Sequence, residues 1–326
     1  GGDDNDNAGG DDSIEFRTLT NGDVRFNGPV TLNSDLLVTT NGDGGIGTGL
    51  ATAGNITFTD VAAVDSQATE NNDVTLRAGA GAISVNANVG VTVAVQSYVV
   101  QDTTGAGSVT FGGADATAAN SATGPVTLVQ AIDDIDIGAG TDDDDEVDGG
   151  ITLNGGGDND NAGGDDSIEF RTLTNGDVRF NGPVTINSDL LVTTNGAGGV
   201  GTNLTATGDI TFTDVATVDS QATENNDVTL RAGAGTISVS ANVGVTDAVQ
   251  SYVVEDTTGA GSVTFGAADN TAANSATGPV TLVRAIDDIN IGAGTDDDDE
   301  VDGGITLNGG DDNDNAGGDD SIEFRT

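Results

Sequence analysis

Carboxylate oxygens are the one chemically active group this chain holds in quantity, and they gather in a few short segments. Asp142, Asp143, Asp144, Asp145, Glu146 and Asp148 form one run, with Asp158, Asp160, Asp165 and Asp166 shortly after it. The same series returns as Asp296, Asp297, Asp298, Asp299, Glu300 and Asp302, followed by Asp311, Asp312, Asp314, Asp319 and Asp320. The opening segment carries a third version in Asp3, Asp4, Asp6, Asp11 and Asp12. Asparagine and glycine interleave these acids, so side-chain oxygens sit on backbone that can bend tightly. Unit charges about 5 Å apart in water repel by roughly 0.8 kcal/mol per pair. A hard cation would convert that repulsion into cross-linking. Ca2+ takes six to eight oxygens at about 2.3–2.6 Å in a tolerant geometry, and Mg2+ suits such crowded, flexible loops less well. These acids are the candidate Ca2+ ligands.

The composition excludes most other chemistry. The net charge is −46, from 54 acids against eight arginines, and lysine is absent. A phosphate backbone or an anionic membrane would be repelled at every point, so neither nucleic acid nor membrane is an expected partner. No apolar run approaches the ~18 residues that signal a membrane-spanning helix. With no Cys and no His, thiolate or imidazole metal sites, Cys or His catalysis and disulfides are ruled out. A Lys–Asn isopeptide link is ruled out in the same way. Asp133 and Asp134 are spaced like the paired carboxylates of polysaccharide hydrolases, which also place a histidine and basic groups nearby. Here only the second copy has an arginine close to that pair, Arg284. The expectation is a protein that is not an enzyme.

The acids are positioned by a long internal repeat. Residues 1–154 recur as 155–308 with about 18 differences, and a third copy begins at Gly309. The chain closes at Thr326, soon after that copy begins, which predicts a window on a longer array. Each copy is built from triplets with apolar residues flanking a small or polar one: Ile14-Glu15-Phe16, Val24-Arg25-Phe26, Val30-Thr31-Leu32, Ile56-Thr57-Phe58, Val74-Thr75-Leu76. Alternation of this kind turns the outer pair inward and the middle residue outward. No stretch carries a sustained helical period. Glycine supplies 51 residues and aromatics only 3%, so the pattern describes short strands, many turns and a narrow core. Sides separated by brief corners, about 19 residues to a turn, predict an all-β parallel β-helix with about eight coils per repeat. The step from the strand at Ile151 to the strand at Ile168 is close to one such turn. It predicts the two acidic segments at similar corners of adjacent coils, one above the other. The recurring arginines, Arg17, Arg25 and Arg77, are expected to pair with neighbouring acids. Outward threonines are the raw material of an ice-binding face, but Glu15, Arg25 and Asp136 interrupt them.

Phrases such as GDVRFNGPVTLNSDLLVTTNG, GNITFTD, NDVTLRAGAGAISVNANVG and GAGSVTFGG resemble the repeats of very large bacterial surface proteins of filamentous-haemagglutinin type. That resemblance covers most of each repeat. It implies a right-handed β-helix, secretion to the cell surface, and a role as a stalk or adhesin. Asp3-Asp4-Asn5-Asp6-Asn7-Ala8 resembles the DxNDNA linker of cadherins, although the middle copy has Gly157 in first position. The GGDD pairs approach the glycine-aspartate nonapeptides of RTX proteins without keeping their order. The reading is an extracellular fibre or stalk, bound to itself along the array and in lateral bundles, with Ca2+ in the junction loops. The alternatives are the stalk of an adhesin whose binding tip lies elsewhere, or a string of calcium-linked β-sandwiches.

Overall fold

Each apolar–polar–apolar triplet forms one side of a coil. The computed structural model describes residues 13–40, 54–59, 63–103, 107–112, 127–132, 134–138, 147, 150–154, 167–194, 205–213, 217–221, 226–257, 261–265, 281–284, 289–291, 305–307 and 322–325. Three stacked faces take the strands in strict rotation. The first face stacks Ser13–Arg17, Asp35–Thr39, Val74–Gly79, Tyr98–Thr103, Ile135–Ile137, Val178–Phe180, Ile210–Phe212, Thr236–Val239, Ser262–Phe265 and Ile305–Leu307. The second stacks Val24–Phe26, Ile56–Phe58, Ile83–Val85, Val109–Phe111, Ile151–Leu153, Val184–Ile186, Thr217–Ser220, Asn242–Val243, Thr281–Arg284 and Ile322–Arg325. The third opens with Val30–Leu32 against Val64–Ser66 and continues through Thr127–Ala131, Ser167–Thr172, Asp189–Thr193, Val228–Gly233, Tyr252–Thr257 and Ile289–Ile291. Val89 joins its two parts, bridging Val64 below and Val129 above.

Every pairing among these strands is parallel, for example Ser13↔Asp35 on the first face and Val24↔Ile56 on the second. The chain is therefore a parallel β-helix. A string of β-sandwiches, which would need antiparallel strands in separate units, is overturned. The coil count differs from the sequence expectation. One full coil runs from Ser13 to its partner Asp35, whereas another runs from Ile135 to Val178 and takes about twice as much chain. The expected spacing misled because Leu36 and Ile56 lie on neighbouring sides, and the segments between sides vary widely in length. Among its described residues the first repeat supplies thirteen strands plus the Val89 bridge, or fourteen sides over three faces, which is 4⅔ coils in place of eight.

Inward positions fill a slender lumen. Ile56, Val74, Leu76, Ile83, Val109 and Phe111 are 0% exposed, while the outward Thr57, Thr75, Ser84 and Thr110 are not buried. Burying a side chain of this size contributes about 1.5–3 kcal/mol. Rings from different faces meet inside, Phe111 packing edge-on against Phe170 at 5.2 Å and Phe170 against Phe180 at 5.0 Å, and within the first face Phe180 stacks on Phe212 at 5.0 Å. The Phe111–Phe170 contact crosses the boundary between repeats. So do the pairings of Thr127–Ala131 with Ser167–Thr172 and of Ile151–Leu153 with Val184–Ile186. Lumen and backbone ladder pass through the junction without a break.

One corner leaves no room for a side chain. A Cβ on Gly54 would lie 2.3 Å from the Gly22 carbonyl oxygen, and one on Gly81 would lie 2.0 Å from that of Gly54. Gly208 and Gly235 repeat the arrangement, at 2.1 Å from the Gly176 oxygen and 1.9 Å from the Gly208 oxygen. Threonine hydroxyls close the turn, Thr40 donating to the Gly54 carbonyl at 2.6 Å and Thr194 to that of Gly208 at 2.6 Å.

Candidate functional site: stacked carboxylates

Where a strand begins, the N–H of the preceding residue lies beyond the regular ladder and needs another acceptor. Asp and Asn meet that need, because their short side chains can reach a backbone N–H. Asp134 Oδ1 accepts the N–H of Asp177 at 2.9 Å, Asp177 Oδ1 accepts that of Asp209 at 2.8 Å, and Asp209 Oδ1 accepts that of Thr236 at 2.6 Å. Lower on the same edge, Asp35 Oδ1 accepts the N–H of Asp73 at 2.9 Å. With Ser13, Ser97 and Ser262, this edge presents acids or hydroxyls at nine successive levels of the first face. The other faces reuse the device. Asp23 accepts the N–H of Asn55 at 2.8 Å, and Asn55 accepts that of Ala82 at 2.9 Å. On the third face Asp189 accepts the N–H of Asp227 at 2.9 Å.

The geometry satisfies backbone donors but sets like charges about 4.8 Å apart, one strand spacing. Asp134, Asp177 and Asp209 are three carboxylates in a row. Burial holds the Asp177 carboxyl above the ordinary aspartate value, the N–H of Asp209 opposes that, and the Asp209 and Asp134 charges push it further up. Arginines relieve the outward positions nearby. Arg179 lies 3.6 Å from Asp136, the pair occupying adjacent levels, and also donates to the Gly138 carbonyl at 3.3 Å. Arg17 and Arg171 donate through Nε to Glu15 and Glu169 respectively, at 2.7 and 2.6 Å. Glu169 is only 2% exposed, and Arg171 also reaches Gln130 at 3.3 Å on the strand before the junction. Pairing of Arg17, Arg171 and Arg179 with neighbouring acids is as the sequence predicts.

None of the sequence-predicted Ca2+ ligands falls within the described residues: those of the opening segment, of 142–148, of 158–166, of 296–302 and of 311–320 all lie outside them. The strands around them are described, and they correct one expectation. Ile151–Leu153 belongs to the second face and Ser167–Thr172 to the third, so they are consecutive sides of one coil. The strands flanking the first acid-rich segment lie on the first and second faces and those flanking the next on the second and third, while the segments themselves lie outside the described residues. The step from Ile151 to Ile168 is one side here, not one turn. Among the described residues no three acids are grouped so as to hold a metal ion. The stacked acids that the structure does bring together, Asp134, Asp177 and Asp209, are absent from the predicted set. Their signal is present in the sequence: each immediately precedes a triplet, as do Asp23, Asp35, Asn55 and Asp73.

Two further features concern the lumen and the second face. The Tyr98 and Tyr252 hydroxyls are enclosed without a hydrogen-bond partner, and burial pushes both phenols above the ordinary tyrosine range. Outside, Thr57, Ser84, Thr110, Thr152 and Thr185 form one unbroken column, bounded by Arg25 below and Asp219 above. The charged residue expected to interrupt this column ends it instead, and it is a single residue wide. Comparison with protein-family models, curated proteins and solved structures returns no match.

Proposed function

We propose that this chain is a length of an extracellular structural rod, a fibre or surface stalk, stiffened by Ca2+ bound in its acidic junction segments. The observation that carries this reading is the unbroken passage of lumen and ladder from one repeat to the next. A rod whose stability comes from stacked neighbours lengthens by adding repeats, and near-identical copies give each segment the same environment. The charge of −46 opposes that assembly, and divalent cations between carboxylates are the means of offsetting it. Its partners are further copies of itself, along the axis and side by side. The rod has no catalytic role.

Titration with CaCl2 is expected to raise the melting temperature, and a chelator to reverse the gain and change the fibre diameter. Mg2+ at equal ionic strength should do markedly less. An unchanged melting temperature and diameter across the Ca2+ titration would remove the calcium part of the reading.

A further inference from the structure

The repeat does not contain a whole number of coils. Ser13–Arg17 stacks on the first face, its counterpart Ser167–Thr172 on the third, and the next counterpart, Ile322–Arg325, on the second. Other strands shift in the same sense: Val24–Phe26 of the second face corresponds to Val178–Phe180 of the first, and Val74–Gly79 of the first to Val228–Gly233 of the third. Fourteen sides distributed over three faces leave two sides over, so each repeat is turned by a third of a revolution against its predecessor.

We infer that the array is a three-fold screw, in which every surface feature of a repeat is carried on all three faces in turn. Three repeats, or fourteen coils, complete the period. At about 4.8 Å per level, one repeat rises roughly 22 Å and the full period roughly 67 Å. The hydroxyl column illustrates the display. Thr57, Ser84 and Thr110 line the second face, and their counterparts Thr211, Ser238 and Thr264 line the first. A side-on partner therefore meets the same surface from three directions. Under the fibre reading proposed above, those partners are parallel copies of this chain. The screw itself does not depend on that reading.

The three sides can exchange places because all are built alike. On every face a side can open with a buried apolar residue, as at Val74, Ile83 and Val228, and can follow an aspartate, as at Asp73, Asp23 and Asp227. Among the described residues, no face holds a residue type that the next could not accommodate.

The chain has no cysteine, so engineered pairs report stacking without background. Thr152→Cys with Thr185→Cys joins residues that are direct neighbours on the second face across the repeat boundary. Mild oxidation is expected to give an intramolecular disulfide, since adjacent strands fall within the ~4.4–6.8 Å range of disulfide Cα separations. Thr152→Cys with Arg179→Cys tests the whole-coil alternative, which would return Arg179 to the second face directly above Thr152, where its counterpart Arg25 sits, whereas here it lies on the first face beside Asp136. This pair should not cross-link. Cross-linking of the second pair in preference to the first would overturn the inference. A density map of the unmodified chain decides independently. A rotation of one third of a turn between repeats supports the screw, and a rotation near zero overturns it. Either result is read without Ca2+, so a failed calcium titration leaves this inference standing, and its own failure leaves the calcium reading intact.

Discussion

At the scale of single residues, the polar groups inside and along the edges are where stability is most open to adjustment. Asp177 is held above its ordinary value, so its protonated form is favoured by the fold. Its stabilising contribution is complete below the unfolded aspartate value, near ~3.9, and is lost as pH rises through the folded value. Asp177→Asn keeps an oxygen to accept the Asp209 N–H and removes the charge between Asp134 and Asp209. Thermal melts should show the variant more stable than the parent at pH 7, by under ~1 kcal/mol given solvent screening. The gain should shrink as pH approaches 4. Tyr98 is the second case. Its ring fills the lumen, 6.0 Å from Phe111, while its hydroxyl is desolvated without a hydrogen bond. Tyr98→Phe is expected to stabilise the chain by roughly 1 kcal/mol, measured by denaturant unfolding. A loss of stability would reveal a partner for the hydroxyl.

At the scale of elements, the corners set the limits that the strands do not. Any small or polar residue can stand at the outward centre of a side, whereas Gly54, Gly81, Gly208 and Gly235 stack so closely that a methyl group would collide with backbone oxygen. Gly208→Ala forces the chain to part at that level and is expected to cost about 1–3 kcal/mol, the range of overpacked sites. An outward change such as Thr211→Ala should fall within ~0.5 kcal/mol of the parent. The contrast explains what could be read in advance. Triplets such as Ile56-Thr57-Phe58 announce a strand with its two apolar residues inward, and the five named above all form sides, whereas in Val126-Thr127-Leu128 the register is reversed, Val129 turning inward and Leu128 outward. The number of coils could not be read, because connections of very different length join equivalent sides. Nor could the carboxylate edges, since Asp134 or Asp35 looks like any surface acid until the strand above shows which N–H it accepts. Tyr98 gave no sign that its hydroxyl would be enclosed with the ring.

At the scale of the whole molecule, an apolar tube and a polyanionic exterior act against one another. The lumen is continuous from the first described side to the last, and each added level buries another set of Val, Ile, Leu or Phe. The exterior gathers charge at the same rate, so long arrays need cations in proportion to their length. Monovalent salt screens such charges only generally, with a Debye length of about 8 Å at physiological ionic strength. The Ca2+ titration proposed above must therefore exceed the effect of NaCl at matched ionic strength before specific binding is claimed.

Because the three sides are interchangeable, a duplicated gene segment need not encode whole turns to fold. Any insertion that begins and ends at the same point of a side leaves strands above and below in register, whatever face they land on. Unequal recombination between near-identical copies can then add or remove length freely, and populations of such genes should differ in copy number more readily than in sequence.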